Sequence, residues 1–345
     1  MRCKETAFSG LRLERIRASK QFDGAAFSNP TGKGPSLKGN PLPMLGEYFF
    51  GKNQRMPPGP LPLERPHDAW RAPIESGLRV TWLGHSTVLL EIDGYRVLTD
   101  PVFGARASPL AFAGPKRFHP VPAELDELPP IDVVVLSHDH YDHLCRDTMR
   151  RLAKAEMPIV TSLGVGARLE AIGVANERIH ELDWNEYVDV RGLRITATPC
   201  QHFSGRGASD RNKTLWSSWV LRTDHHRVFF SGDTGLTEMF RTIGDAHGPF
   251  DLVMLEIGAF HESWGDIHLG PHNAMKVFSM LGGGTLLPVH WGTFNLALHD
   301  WDDPGETILR LGEEQGQRVL TPRLGQVFEP AQVERFEAWW RAVGA

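Results

Sequence analysis

The strongest chemical signal in this sequence is the segment SHDHYDHL over residues 137–144, which is dense in metal-ligating side chains. It follows directly on the apolar run VVVL, which predicts a buried strand. Because side chains at i and i+2 of an extended chain share a face, His138 and His140 can bind one metal ion. Asp142 and His143, at the following turn, can face a second ion. Imidazole and carboxylate are ligands of catalytic zinc, so this spacing predicts a metal centre at the end of the strand.

Three further candidate ligands come from later parts of the chain, each just beyond a predicted strand. His202 follows LRITATPC, Asp233 follows RVFFSG and His290 follows TLLPV. The carboxyl ends of strands are where α/β proteins place their chemistry. With the HxHxDH segment, these residues would hold two metal ions, and Asp233 is placed to bridge them. The alternative is that they are unrelated polar residues that stabilise turns, and spacing alone does not decide between the two.

A centre of this kind is suited to hydrolysis. Two divalent ions lower the pKa of bound water towards ~7, so hydroxide forms at neutral pH without a protein base. With two carboxylates and a bridging hydroxide, the site keeps a net charge of about +1 before substrate binds. Such a site favours an anionic phosphoryl group or a developing oxyanion. The ligand set alone leaves phosphodiester, lactone, amide and thioester substrates open.

The elements that must position these residues are those of an α/β fold. Three strand-like runs begin at Leu78, and the Asp93-Gly94 pair predicts a hairpin between the second and the third. Strands and helices then alternate, twice over. This order predicts two sheets packed face to face with helices outside, a four-layer αββα sandwich.

The chain divides into three segments by composition. Residues 1–77 are punctuated by Gly and Pro, and we expect an extension that wraps the core. The strand and helix patterns place a catalytic domain over residues 78–329. A C-terminal helix is expected within residues 330–345.

Two apolar patches lie in the terminal segments. One is Tyr48-Phe49-Phe50, and the other is the stripe of Phe336, Trp339 and Trp340, which recur at helical spacing. We expect both patches to pack on the domain. The alternative is a peripheral contact with a membrane. Such a contact would be weak, because few basic residues flank the C-terminal stripe and attraction to anionic lipid would be small.

Composition and charge exclude several classes of protein. With 37 basic and 42 acidic residues the formal charge is -5, and nucleic acid is not an expected partner. Three cysteines exclude a disulfide framework and favour the cytoplasm. No apolar run follows the first charged residues, so we expect no secretory signal. Residues 277–299 lack Asp, Glu, Lys and Arg, but Gly282-Gly283-Gly284 and Pro288 argue against a membrane span.

The HxHxDH segment with a downstream His, Asp and His resembles the metallo-β-lactamase superfamily. Within it, the chain is similar to the N-acyl-phosphatidylethanolamine-hydrolysing phospholipase D group. The similarity covers most of residues 78–300. It is carried by these strings: VTWLGHSTVLLE (80–91), LTDPVFGARASP (98–109), GPKRFHP (114–120), ELPPIDVVVLSHDHYDHL (127–144), FFSGDTG (229–235), GPFDLVMLEIGAF (248–260) and VHWGTFNLA (289–297).

The resemblance implies an αββα sandwich, two zinc ions and cleavage of a phosphodiester in N-acylated phospholipids. Manganese and iron are alternative metals. The resemblance also implies two groups of ligands joined by a bridging Asp233: His138, His140 and His202 for one ion, and Asp142, His143 and His290 for the other.

Other residues near these motifs have candidate roles. Asp100, in LTDP, matches the first motif of the superfamily, where a buried carboxylate can accept the second N–H of a ligand histidine. The alternative is a turn residue before Pro101. His268 matches a histidine beside the substrate and is a candidate proton donor, with a surface-loop histidine as the alternative. Asp142 and His268 are the candidate catalytic residues. His85, in GHST, is expected to stabilise a turn rather than to contact substrate.

These observations predict a dinuclear zinc hydrolase, first of all a phosphodiesterase in which a metal-bridging hydroxide attacks phosphorus. The expected partner is a small-molecule or phospholipid substrate, and a homodimer is left open. The alternative within enzymes is a lactonase or sugar-phosphate lactone hydrolase of the same superfamily, with manganese in place of zinc. A metal-binding scaffold without catalysis is the alternative from another class, and the presence of all seven ligands argues against it. Cys200, two positions before His202, is expected to be a buried thiol rather than a ligand.

Overall fold

The first of two central sheets contains the HxHxDH segment. The computed structural model describes residues 8–32, 34, 46–47, 50–110, 112–207 and 209–344. The sheet consists of β1 (Leu78–Gly84), β2 (Thr87–Ile92), β3 (Tyr95–Thr99), β4 (Val133–Leu136), β5 (Ile159–Ser162), β6 (Ile179–Leu182) and β14 (Val327–Phe328). Its order is β14-β1-β2-β3-β4-β5-β6. Strands β1 to β3 are antiparallel, and β3 to β6 are parallel.

The second sheet repeats this plan. It consists of β7 (Tyr187–Val190), β8 (Leu193–Thr198), β9 (Ser218–Arg222), β10 (Arg227–Phe230), β11 (Leu252–Glu256), β12 (Thr285–Val289) and β13 (Arg318–Val319). Its order is β13-β12-β11-β10-β9-β8-β7. Strands β7 to β10 are antiparallel, and β10 to β13 are parallel. The parallel strands are the ones whose carboxyl ends converge on one edge.

The helices lie around these sheets. They are α1 (Gly10–Ala18), α2 (His67–Arg71), α3 (Arg146–Leu152), α4 (Gly166–Glu170), α5 (Met239–His247), α6 (Gly270–Met280) and α7 (Asp303–Gln315), with 3-10 turns at Leu125–Glu127, Asn176–Arg178, Pro330–Gln332 and Trp339–Ala342. No described helix is long and apolar enough to cross a membrane.

The alternation of side chains along β4 shows the layers. Val133 and Val135 belong to a core shared with Ile195 of the second sheet. Val134 and Leu136 point to the opposite face and pack with residues of α3 and α4. On the other side of the molecule, α6 packs against β11. The four-layer αββα sandwich predicted from the order of elements is confirmed.

The C-terminal helix predicted within residues 330–345 is wrong. The described part of this segment forms two 3-10 turns joined by irregular chain. The Arg318 guanidinium donates hydrogen bonds to the carbonyl groups of Pro330 and Val333. Those carbonyl groups therefore bond to a side chain and not to helical N–H groups four residues on. The boundaries at residues 77 and 329 stay predictions.

The two apolar patches differ in their surroundings. Trp339 and Trp340 are buried, with ring centroids 5.5 Å and 5.2 Å from that of Trp291. Two residues of the C-terminal stripe therefore pack against Trp291, which directly follows His290. In the other patch, Phe50 is 86% exposed. Its neighbours Tyr48-Phe49 lie outside the described residues.

Candidate metal centre

The predicted ligands meet at one edge of the sandwich. The HxHxDH segment follows β4, and His290 follows β12 directly. His202 and Asp233 lie in the loops after β8 and β10. The two sheets therefore bring together side chains that are up to 152 positions apart, as in the pair of His138 and His290.

The first cluster consists of His138, His140, His202 and Asp233, whose ligand atoms all lie within 4.8 Å of one another. His140 Nδ1 lies 2.8 Å from His138 Nε2 and 3.3 Å from His202 Nε2. The other nitrogens of two of these rings bond elsewhere: His202 Nδ1 donates to the Ile267 carbonyl at 2.8 Å, and His138 Nδ1 donates to the Ser137 hydroxyl at 2.9 Å. This leaves three ring nitrogens converging on one point, which is the arrangement of a metal site.

The second cluster consists of His85, Asp142, His143 and His290, again with ligand atoms within 4.8 Å of one another. Asp142 Oδ2 is its centre, at 3.1 Å from His85 Nε2 and 3.4 Å from His290 Nε2. His85 is a member that the sequence analysis assigned to a turn. The backbone of His85 has a φ of 54°, in the left-handed region, which is common in turns. His85 therefore lies in a turn, as predicted, and its side chain also belongs to the second cluster.

Asp233 lies between the two clusters. Its Oδ2 is 3.7 Å from His202 Nε2 and 3.1 Å from His143 Nε2. Its Oδ1 is 3.1 Å from His290 Nε2. Asp233 Oδ2 thus faces histidines of both clusters, and Oδ1 faces His290 of the second cluster. The predicted bridging role requires this geometry.

The donor atoms fit two divalent cations. Among the described residues, His143 Nε2, Asp233 Oδ1 and His290 Nε2 are buried, and although the two nitrogens lie 3.1 Å from Asp233 oxygens, these contacts lack the geometry of hydrogen bonds. Buried polar atoms without a partner are costly, and metal coordination would satisfy these three. Nitrogen and carboxylate oxygen are ligands that zinc, manganese and iron all accept, so the donor set does not select one metal.

The electrostatics of the centre show how closely the charges of its side chains are balanced. Burial raises the pKa of Asp233, but His143 and His290 outweigh it and hold this pKa well below its usual value. Burial lowers the pKa of His290, but Asp233 and Asp142 raise it to about 10. Burial also holds the pKa of His138 well below its usual value, with the neighbouring imidazole of His143 adding to the effect. The negative charge of the buried carboxylates is therefore balanced by the proton on a neighbouring histidine. Bound cations would replace that proton.

Asp100 is fully buried beside the second cluster. Its Oδ2 accepts a hydrogen bond from His143 Nδ1 at 2.6 Å and one from the Ser137 hydroxyl at 2.6 Å. The Ser137 hydroxyl in turn accepts from His138 Nδ1 at 2.9 Å. Asp100 thus orients one histidine of each cluster, directly or through Ser137, and turns both Nε2 atoms towards the centre.

His268 borders both clusters. One of its ring nitrogens lies within 4.8 Å of ligand atoms of Asp233 and His290. Its Nδ1 is 3.2 Å from Oε1 of Glu256, the last residue of β11. Burial lowers the pKa of His268, but Glu256 and Asp233 raise it above its ordinary value. The His268 side chain is 12% exposed and lies beside Asp233 and His290, so it does not have the position expected of a surface-loop histidine.

Two residues near the centre show what the sequence analysis missed and what it predicted. Glu256 was missed, although a glutamate that ends the apolar run LVML is an unusual feature that could have indicated a buried role. Its Oε1 also accepts from the amides of Thr234 and Leu269. Cys200 is buried, as predicted, and burial raises the pKa of its thiol to about 12.

Comparison with known proteins places the chain in a family. A family model described as a beta-lactamase superfamily domain matches residues 95–291. An uncharacterized protein of Mycobacterium tuberculosis is 48% identical over 289 residues, which cover 83% of this chain and 77% of that protein. N-acyl-phosphatidylethanolamine-hydrolyzing phospholipase D 1 of Caenorhabditis elegans is 38% identical over 272 residues, covering 74% of this chain and 76% of that protein.

Solved structures share the fold. An isothiocyanate hydrolase from Delia radicum gut bacteria has a TM-score of 0.57 at 21% identity and covers 73% of this chain and 98% of its own. The chain belongs to the β-lactamase superfamily. With its two histidine–aspartate clusters it is a metal-dependent hydrolase of that superfamily, and its relatives include phospholipases of the N-acyl-phosphatidylethanolamine type.

Proposed function

We propose that this protein is a dinuclear zinc phosphodiesterase that cleaves N-acyl phospholipids or closely similar phosphodiesters. The observation that carries the proposal is the pair of ligand clusters that meet at Asp233. Two-metal sites of this kind are typical of enzymes that displace groups at phosphorus. The 38% identity to a C. elegans protein named as an N-acyl-phosphatidylethanolamine-hydrolyzing phospholipase D supports the choice of substrate.

The chain contributes an oriented and largely buried set of ligands. When bound, zinc supplies Lewis-acid chemistry that activates water and stabilises negative charge on phosphoryl oxygens. His138, His140 and His202 would hold one ion, and Asp142, His143 and His290 would hold the other. Asp100 and the Ile267 carbonyl fix the orientation of the histidines that they contact. This fixed orientation reduces the reorganisation that the reaction requires.

His268 is the proposed proton donor to the leaving-group oxygen. Glu256 fixes the ring through Nδ1, and the ring centroid lies 5.1 Å from that of His202 and 5.4 Å from that of His290. The His268 side chain is 12% exposed, whereas those of His202 and His290 are fully buried, so His268 lies on the solvent side of the centre.

A small pocket lies beside His290, and its volume of about 20 Å³ holds a water molecule but not a hydrocarbon chain. Its walls include Phe118, Trp291, Phe294 and Leu296, together with the cationic side chain of Arg55. We include phospholipid among the proposed partners because of the similarity to the C. elegans phospholipase, and nucleic acid stays outside the proposal because of the charge of -5.

The test combines metal analysis with a substrate panel. Purified protein should contain two equivalents of zinc and should hydrolyse N-acyl-phosphatidylethanolamine in mixed micelles and an aryl phosphodiester. His140→Ala should abolish both reactions, whereas the matched variant His272→Ala changes an exposed histidine and should leave them unaltered. Hydrolysis of a lactone panel with no turnover of either phosphodiester would overturn the proposal in favour of a lactonase. Metal binding without any turnover would favour a non-catalytic protein.

A further inference from the structure

Residues 8–32 are anchored on the catalytic core. The Arg12 guanidinium donates to Glu170 at 2.8 Å and to Glu181 at 2.5 Å, which fixes α1 against α4 and β6. Ile16 and Phe27 are buried in a separate apolar cluster that also contains Trp184 and Trp216 of the core. The family match begins only at residue 95, so this segment lies outside it.

This segment ends at the main chain of a predicted metal ligand. Asn29 is 5% exposed, and its Nδ2 donates to the His202 carbonyl at 2.8 Å. Its Oδ1 accepts from the His202 N–H at 3.1 Å and from the Trp216 indole at 3.1 Å. One side-chain amide therefore pairs with both backbone groups of His202, as a neighbouring strand would pair with a residue in a sheet.

The same segment also reaches the residue before His202. The Thr31 hydroxyl donates to Oε1 of Gln201 at 2.8 Å, and Gln201 Nε2 donates to the Asp266 carbonyl at 2.7 Å. Asp266 directly precedes Ile267, whose carbonyl accepts from His202 Nδ1. The main chain and the ring of His202 are thus held by a connected set of hydrogen bonds that begins in the N-terminal segment.

We infer that Asn29 is a positioning residue of the first metal cluster, supplied by the N-terminal segment. His202 lies in a loop after β8, and its ring must point Nε2 at the site that it shares with His138 and His140. Asn29 fixes the backbone from which that ring projects. The inference rests on the two-metal centre proposed above, and it concerns one of the two ions only.

The experiment measures zinc affinity rather than activity. Asn29→Leu keeps the shape of the side chain but removes its hydrogen bonds to His202. In titrations of the metal-free protein against a chromophoric chelator, one of two equivalents should bind about 10–100-fold more weakly and the other should be unchanged. Ile16→Val is the matched control, because it loosens the apolar cluster that contains Trp216 without removing a contact to His202. In this variant both equivalents should keep their affinity.

Two single-site backgrounds identify which ion is affected. With His290→Ala, the first cluster keeps its four ligands, and Asn29→Leu should weaken the remaining equivalent. With His140→Ala, Asp142, His143 and His290 of the second cluster are all kept, and Asn29→Leu should leave the remaining equivalent unchanged. If Asn29→Leu does not fold, Asn29→Ser provides the same comparison, since its hydroxyl is too short to reach both backbone groups of His202.

The inference is overturned if Asn29→Leu weakens both equivalents alike, or weakens neither by more than Ile16→Val does. In either case wild-type protein that binds two equivalents leaves the proposed function standing. Wild-type protein that binds fewer than two equivalents contradicts the proposed function itself, so the two failures are distinguishable.

Discussion

Asp100 shows how one buried side chain can set the geometry of a whole centre. Its carboxylate accepts hydrogen bonds from the Ser137 amide, the Ser137 hydroxyl and His143 Nδ1. A neutral amide at this position would have to direct an N–H group towards one of these donors. The charge and the acceptor capacity of the aspartate are therefore both required.

Asp100→Asn should lower metal affinity about 10–100-fold, because the His143 ring loses its orienting acceptor. Chelator competition measures the affinity directly. Asp147→Asn is the control, since the Asp147 side chain is 81% exposed and pairs with Arg150 at the surface. Equal affinities for wild type and Asp100→Asn would contradict the orienting role.

His268→Ala tests the proposed proton donor. We expect kcat to fall about 10²–10⁴-fold for a substrate with an alcohol leaving group. The fall should be much smaller for a nitrophenyl ester, because nitrophenolate leaves without a proton. Metal content should stay at the wild-type value, as should the activity of His272→Ala. An equal loss on both substrates, or a loss of metal, would instead assign His268 to metal binding, which its distance to Asp233 and His290 permits.

At the scale of elements, the ends of strands were predictable and the terminal segments were not. The runs before His202, Asp233 and His290 are apolar and β-branched, so the sequence predicts strands whose carboxyl ends hold these residues. The helix expected over 330–345 does not form, because Arg318 captures carbonyl groups and Trp339 packs on Trp291. Helical spacing of aromatic residues does not reveal such long-range partners.

The docking of α1 yields a prediction about stability. Arg12→Met removes the nearly buried pair with Glu181, and we expect a loss of about 1.5–3 kcal/mol in urea unfolding at neutral pH. The exposed pair with Glu170 adds less than ~1 kcal/mol. Arg12 lowers the pKa of Glu170, so this share is present above ~4.3 and is lost as the pH falls further. A difference between the two proteins that grows on acidification would contradict this account.

At the scale of the whole molecule, two sheets with the same plan place their parallel halves side by side. The fold and the cluster of HxHxDH side chains could be predicted from the local pattern of apolar strand and polar end. For His202, Asp233 and His290 that pattern left a turn role open, and only the resemblance to a known family pointed to metal binding. His85, Glu256 and Asn29 could not be assigned their roles, since each acts through contacts with residues that are distant in sequence, such as Asp142, His268 and His202.

Removal of metal should destabilise the molecule as a whole. The clusters join both sheets, so ions bound there stabilise the folded state, by about 4 kcal/mol where free metal exceeds the Kd 1,000-fold. We therefore expect a chelator to lower the Tm, and added zinc to restore it while magnesium does not. An unchanged Tm in protein shown to have lost its metal would contradict this coupling.

A crystal structure with anomalous scattering measured at the zinc edge tests the two-metal centre directly. We expect two peaks about 3.5–4 Å apart, with the Asp233 carboxylate between them. One peak should lie among His138, His140 and His202, and the other among Asp142, His143 and His290. A single peak in fully loaded crystals, or two peaks that do not share Asp233, would contradict the two-metal centre.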